Sequence, residues 1–340
     1  MTDKMLVRNI IDHKEKHKIG YQFNDDKQNN HIFKVLGSKL LKQEDVDPKL
    51  FSWGRHEVLL KQLHHDFNGD VCFDNLGNIY GRLNGLTKGE CVKGALYQWD
   101  NLETYELPKY DPNCYADIAQ FCQLNCDKYN LVDANFSIFS NFRDARLMTN
   151  ALMDTVLEPD NIKLFLRKIN DRLLEFIENI KDSGVDGMIM YDDWGTQDRT
   201  FIAPATFREI FKPFYKELAD KLHSYNMHFF LHTCGYNLAF FDDFIDAGID
   251  VLQLDQLGLY GYEMVAEKYS DKITFYSPVD VQRILPTGDR EIIEGDTKRM
   301  LKAFGGKGAL LVKDYPSYGD IAVKNEWATW AKDIFRKHNK

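Results

Sequence analysis

The chain has 340 residues, 44% of them hydrophobic and 28% charged, and a formal net charge of −9. A length above roughly 250 residues permits one large barrel or two smaller domains, while acids and bases interspersed along the chain exclude a basic face for nucleic acid. No apolar run reaches about 18 residues and the opening stretch MTDKMLVRNIIDHKEKHK leads into no apolar segment, so neither a membrane span nor an export signal is expected. The six cysteines are too sparse for a disulfide scaffold and are expected as reduced thiols in a cytoplasmic protein.

In chain order, the first candidate strands are IGYQF (19–23), GDVCFD (69–74) and ANFSIF (134–139). Residues 76–115 read as loops and a small hairpin, with NLGNIYGRLNG (75–85) carrying turn residues on both sides of a short strand. In NCYADIAQFCQLNC (113–126), Cys122 and Cys126 fall four apart on an amphipathic helix, a spacing that suits core packing better than a metal pair. From Asn161 the texture becomes regular. NIKLFLRKINDRLLEFIENIKDSG (161–184) and TFREIFKPFYKELADKLHSYN (206–226) have apolar residues at helical spacing. Short apolar runs alternate with such helices: DGMIMYDD (186–193), HFFLHTCG (228–235), DVLQLDQ (250–256), ITFYSPVD (273–280) and GALLVKDY (308–315). Continuous apolar strands separated by helices imply a parallel sheet buried on both faces. Five βα units in a row fit a (β/α)₈ TIM barrel better than a doubly wound sheet. With no Pro, Gly or Ser linker, residues 1–340 are expected to form a single α/β domain with N-terminal insertions.

Each of the five runs ends in polar residues: Asp192 and Asp193, His232 and Cys234, Asp255 and Gln256, Asp280 with Gln282, Lys313 and Asp314. Active sites of such barrels occupy that end. In an extended segment, residues two apart share a face, so His232 and Cys234 can address one metal ion. The competing reading has His232 hydrogen-bonded to a neighbouring strand and Cys234 packed as a small hydrophobe. For the adjacent Asp192 and Asp193, alternation aims one of the two into the barrel mouth, and helix capping or an ion pair is the alternative. Gln197, Gln256 and Gln282 are candidate polar contacts to a ligand, Asp280 a further acid, and Trp194 and Tyr236 candidate apolar walls.

GVDGMIMYDDWGTQ, FREIFKPFYKELADKLH, FLHTCG, AGIDVLQLDQ and VDVQRILPTGD, preceded by FSIFSNFRDARLM, resemble in order and spacing the uroporphyrinogen decarboxylase superfamily. The resemblance covers roughly residues 130–335. It is to the divergent branch with Asp-Asp-x-Gly-x-Gln and His-x-Cys-Gly, similar to corrinoid-dependent methyltransferases. It implies a TIM barrel enzyme in which zinc, bound by His232, Cys234 and a later ligand, handles a methyl group passed between a small-molecule donor or thiol acceptor and the methyl-corrinoid (cobalamin) of a partner protein. The family's later cysteine has no counterpart, since none follows Cys234. Asp314 in LLVKDYP stands where it is expected and is implied as the third ligand, with Asp192, Asp193 and Asp280 as catalytic acids. Two other readings are open. One is a cofactor-free decarboxylase of a tetrapyrrole or smaller acid, for which the N-terminal arginines Arg8, Arg55 and Arg82 are too scattered to hold many carboxylates. The other is a binding barrel without chemistry.

Overall fold

The computed structural model describes residues 1–339 apart from positions 36, 43–45, 64–66 and 84–88. Its strands are β1 (Gly20–Gln22), β2 (Ile32–Val35), β3 (Asp70–Phe73), β4 (Ile79–Arg82), β5 (Glu90–Lys93), β6 (Tyr129–Asp133), β7 (Gly187–Tyr191), β8 (His228–His232), β9 (Val251–Gln253), β10 (Thr274–Ser277) and β11 (Leu310–Lys313). Eight of them form one parallel sheet in the order β1-β11-β10-β9-β8-β7-β6-β2. The two end strands meet at a seam. There the His31 N–H donates to the Tyr21 carbonyl at 3.0 Å, and the Asn30 side chain accepts from the Phe23 N–H at 2.6 Å and donates to the Phe23 carbonyl at 2.9 Å. The sheet thus curls into a (β/α)₈ barrel with helices outside, as the alternation of strand and helix signals predicts.

Strand alternation divides the apolar residues between two cores. Ile32, Leu131, Ile189, Phe230, Val251, Tyr276 and Leu311 point inward and pack on Leu6, Val7, Ile10 and Ile11 of the helix Asp3–Ile11, which plugs the N-terminal end of the barrel. That helix begins at Thr2, whose side chain accepts the Met5 N–H at 3.2 Å. Their neighbours Met188, Met190, Phe229, Leu231, Leu252, Phe275, Leu310 and Val312 point outward, onto the helices. Each buried side chain of this kind contributes about 1.5–3 kcal/mol. Two residues beyond the inward apolar layer, the same phase delivers Lys34, Asp133, Tyr191, His232, Gln253 and Lys313 to the C-terminal mouth.

Three details depart from the sequence reading. GDVCFD is β3, and it joins β4 and β5 in a separate antiparallel sheet inserted after β2. Its small core of Leu59, Val71 and Ile79 lies on one side only, unlike a barrel strand. The turn expected after β4 reaches into positions 84 and 85, outside the described residues. ANFSIF is not a strand; the barrel strand there is the preceding YNLVD of β6, and residues 134–138 lead into the helix Phe139–Arg146. The helical run 206–226 holds a π turn at Phe207–Phe211 before the α-helix Lys212–Ser224. Pro213 follows it, with no amide hydrogen for the regular i to i−4 ladder.

Asp192 fastens one outer helix to the barrel. Because Tyr191 faces inward, Asp192 faces outward, fully buried. There its carboxylate accepts the N–H groups of Ile138, Phe139 and Ser140 at 3.0, 2.9 and 2.7 Å, and the Tyr215 hydroxyl at 2.6 Å. The first turn of the helix Phe139–Arg146 is satisfied by a strand residue rather than by a local cap. Replacement by alanine strands several buried donors at about 1–3 kcal/mol each. Asp192→Ala is therefore expected to lower the unfolding free energy by about 3 kcal/mol or more in urea denaturation; a loss below about 1 kcal/mol would remove Asp192 as an anchor.

Candidate metal centre

Three side chains from two neighbouring strand ends converge at the mouth. Asp193 lies two residues past the inward-facing Tyr191, and Cys234 two past His232, so alternation turns all of them to one side. The His232 Nε2 is 3.4 Å from the Asp193 Oδ1 and 3.4 Å from the Cys234 Sγ. The Asp193 Oδ1 also accepts the Cys234 N–H at 2.9 Å. One donor atom from each residue lies within 4.8 Å of the others, the only such group of three among the described residues. The loops carrying Asp193 and Cys234 are tightly apposed. Gly235 has φ +82°, a Cβ there would stand 2.2 Å from the Gly195 carbonyl oxygen, and the Tyr236 N–H donates to the Thr196 carbonyl at 2.7 Å. Glycine at 235 is what allows the two backbones to approach.

A chain of contacts behind His232 fixes which nitrogen faces the triad. The Gln253 Nε2 donates to the Asp255 Oδ1 at 2.8 Å; a carboxylate only accepts, so the amide's orientation is set. Its Oε1 is then turned to the His232 Nδ1 at 2.5 Å, which makes Nδ1 the donor and leaves the Nε2 lone pair for the Asp193 and Cys234 side. Lys313 stands behind Asp255, with its Nζ 3.8 Å from the Asp255 Oδ1 and 5.8 Å from the centre of the Tyr276 ring. Across the mouth, the Lys34 Nζ donates to the Tyr191 hydroxyl at 2.6 Å, and the Tyr191 ring lies 5.3 Å from that of His232.

The electrostatics suit a cation. Burial pushes the Cys234 thiol up, and the Asp193 and Asp255 carboxylates push the same way. Without a positive charge at its sulfur, Cys234 is a protonated thiol rather than a nucleophile. Burial also raises Asp193, but a proton on the His232 Nε2, which a bound metal would replace, together with the Cys234 N–H and the Arg143 charge, outweighs it and leaves the carboxyl lowered. One carboxylate, one imidazole lone pair and one thiol are a mixed O, N, S donor set that zinc accepts. The residues present therefore fit the ion.

The other residues singled out from sequence lie elsewhere. Asp192 is the outward anchor described above; burial pushes it up to about 6 against its four hydrogen bonds. Asp314 is not in the triad. Lys313 takes the inward phase, and Asp314 turns outward, accepting the Asn24 N–H at 2.7 Å, the Tyr318 hydroxyl at 2.8 Å and the Lys332 Nζ at 3.3 Å. The carboxylate that joins His232 and Cys234 is that of Asp193. Asp280 is also away from the triad, accepting the Gln282 and Arg283 N–H groups in its own turn at 2.8 and 2.9 Å. Gln282 and Gln197 are exposed to solvent. Trp194 is no pocket wall, because it is fully buried, stacked at 4.0 Å on Phe139 and donating to the Tyr215 hydroxyl at 3.0 Å. Tyr236 is half-buried against Tyr260, and Gln256 lines a narrow crevice beside Cys234. Cys122 is buried and Cys126 exposed. Among the residues not singled out, Gln253 had a visible sign, a lone amide inside the otherwise apolar VLQL; Lys34 and Tyr191 had none beyond strand phase.

No curated protein is a significant match to the chain by sequence. Among solved structures, a methyltransferase from Methanosarcina mazei shares the fold over 99% of both chains, with a TM-score of 0.65 at 12% identity. An L-ribulose 3-epimerase aligns over 65% of this chain and 79% of its own, with a TM-score of 0.42 at 13% identity. A D-psicose 3-epimerase from Clostridium cellulolyticum H10 aligns over 71% and 87%, with a TM-score of 0.44 at 12% identity. Among the described residues no helix is long and apolar enough to cross a membrane. The family model for uroporphyrinogen decarboxylase (URO-D) matches residues 131–311, just over half of the chain. Those residues run from inside β6 to inside β11 and take in Asp193, His232, Gln253 and Cys234, so the match spans the mouth as well as the strands that build it, and the chain belongs to the uroporphyrinogen decarboxylase family.

Proposed function

We propose that the chain is a methyltransferase component that binds zinc through Asp193, His232 and Cys234 and moves a methyl group between a small-molecule donor or thiol acceptor and a corrinoid carried by a partner protein. The observation that carries this reading is the convergence of the three donor atoms on the Nε2 face of His232, with Nδ1 engaged by Gln253. A zinc ion bound there supplies Lewis-acid polarisation of a bound thiol or ether oxygen. Gln253 and Asp255 hold the His232 ring and its tautomer, and Lys313 backs Asp255. The likeness to a methyltransferase is consistent with the reading at the level of fold.

The decarboxylase reading looks to the N-terminal arginines to hold substrate carboxylates, and all three are engaged away from the mouth. Arg8 binds Asp186, at 2.8 Å, and the Asn226 carbonyl, at the plugged end of the barrel. Arg55 donates to Asn68, and Arg82 pairs with Asp70, both in the insertion.

Zinc reconstitution of the full chain is expected to give about one equivalent of bound metal, and His232→Ala or Cys234→Ser less than about a tenth of one. Equal metal in the parent and Cys234→Ser proteins would remove Cys234 as a ligand. The two aspartates separate cleanly. Asp193→Ala should lose zinc, whereas Asp314→Ala should keep it and lose stability instead, because the Asn24 N–H and the Tyr318 hydroxyl lose their acceptor and the buried Lys332 keeps, among the described residues, only Asp25.

Gln253→Ala is expected to weaken zinc binding roughly 10–100-fold with the ligands intact. Competition with a chromophoric chelator reads this directly. An unchanged affinity would show that His232 needs no orienting partner. For the reaction itself, methyl transfer between free methylcobalamin and a small thiol should follow metal content across these variants. Equal turnover in the parent and His232→Ala proteins would overturn the assignment.

A further inference from the structure

Between the inserted sheet and the helix Phe139–Arg146 lies a cavity of about 340 Å³, lined by Tyr80, Cys91, Arg143, Asp144, Leu147 and Met148 together with Gly89 and Glu90 at its edge. Both of its walls leave the C-terminal ends of paired strands: the insertion follows β2 and the helix follows β6. The cavity therefore belongs to the mouth side of the barrel. The Asp192 anchor ties the helix start to the residue preceding Asp193, and Arg143 is one turn further on, near enough that its charge acts on Asp193.

The wall is built under strain. Leu147 joins two helices at φ +64° and ψ 145°, a backbone region that favours glycine and is costly for a leucine. Arg146 next to it holds the junction in place. Its guanidinium is buried, donates to the Leu96 and Tyr97 carbonyls at 2.6 Å each, pairs with Asp154 at 2.7 Å and lies 4.3 Å from the Trp99 ring centre. A surrounding structure that enforces such a conformation keeps the cavity open.

Arg143 has donors to spare. Its Nε is used by the Asp144 Oδ1 at 3.1 Å, and among the described residues no acceptor engages its two terminal nitrogens. Asp144 is already occupied, since the Tyr80 hydroxyl donates to its other oxygen at 2.7 Å, and Glu90 is solvent-exposed. A mostly buried guanidinium with its outer edge free matches a planar anion with two oxygens, and Leu147 and Met148 offer an apolar surface to the rest of such a molecule.

The geometry points to this cavity as a binding site for a small organic carboxylate, whose carboxyl group is held by Arg143 and whose body extends along Leu147 and Met148. Resting on the proposed function, that carboxylate is the small-molecule partner in methyl transfer, presented to the Asp193, His232 and Cys234 centre from the side of Arg143. Arg143 is then the residue that selects anionic over neutral partners.

Benzoate and its neutral isostere benzamide are suitable probes, titrated calorimetrically into the chelator-treated full chain. Benzoate should bind at least about tenfold more tightly than benzamide, and Arg143→Gln should abolish that preference, since the charge-assisted bidentate contact is lost. Met148→Trp, which adds bulk to the cavity wall and leaves the Arg143 charge in place, should weaken both probes; it serves equally should Arg143→Gln not fold. Benzoate that fails to bind, that binds no better than benzamide, or that is indifferent to both substitutions overturns the site. Zinc content measured on the same proteins separates the two claims. Loss of benzoate preference with zinc retained is expected of Arg143→Gln. A parent protein that takes up zinc but shows no benzoate preference sinks the carboxylate site alone, whereas one that prefers benzoate but takes up no zinc sinks the metal centre alone.

Discussion

Two adjacent aspartates at the end of β7 are turned to opposite sides by strand alternation, and the layout of the mouth depends on that split. Asp192 goes outward and is consumed by three backbone N–H groups and the Tyr215 hydroxyl. Asp193 goes inward and meets His232 and Cys234. A one-residue slip in β7 would exchange their roles, leaving the helix Phe139–Arg146 without its anchor and the triad without its carboxylate. The same anchor sets the position of Arg143, so triad and cavity share one structural origin.

Behind the triad, orientation is passed along a row of side chains rather than through the three triad residues alone. Asp255 selects the amide face of Gln253, and Gln253 selects the protonated nitrogen of His232. Lys313 completes the row from the far strand. Burial lowers its ammonium, the neighbouring Lys34 lowers it further, and Asp255 opposes both. Every member of this row occupies a fixed place because its strand is packed on both faces, which leaves little room for rotamer change at the mouth.

The inserted sheet and the strained junction at Leu147 close one flank of the mouth. Insertions after barrel strands are where barrels of one architecture come to differ in what they bind. Here the insertion contributes Tyr80 and Cys91 and the barrel helix contributes Arg143 and Asp144 to one cavity. The N-terminal arginines play no part in it, being held at the barrel floor or within the insertion.

The barrel was legible in the sequence wherever strands are apolar on both faces, because a run such as GMIMY or HFFLH admits a buried parallel strand and little else. The His232 and Cys234 pair was legible for the related reason that a two-residue spacing needs no knowledge of neighbours. Strands in the N-terminal third were less so: IFKV is short and only half of it is fully buried, and GDVCFD carries enough apolar residues for a barrel strand although its sheet has a core on one side only. Within the mouth, sequence could state that one of Asp192 and Asp193, and one of Lys313 and Asp314, faces inward, but an apolar run with no polar side has no readable phase. The register of β7 against β8 and of β11 against β1 decided both pairs, bringing Asp193 to His232 and sending Asp314 to Lys332, because phase in a fully buried strand is a property of the sheet it joins and not of its own residues.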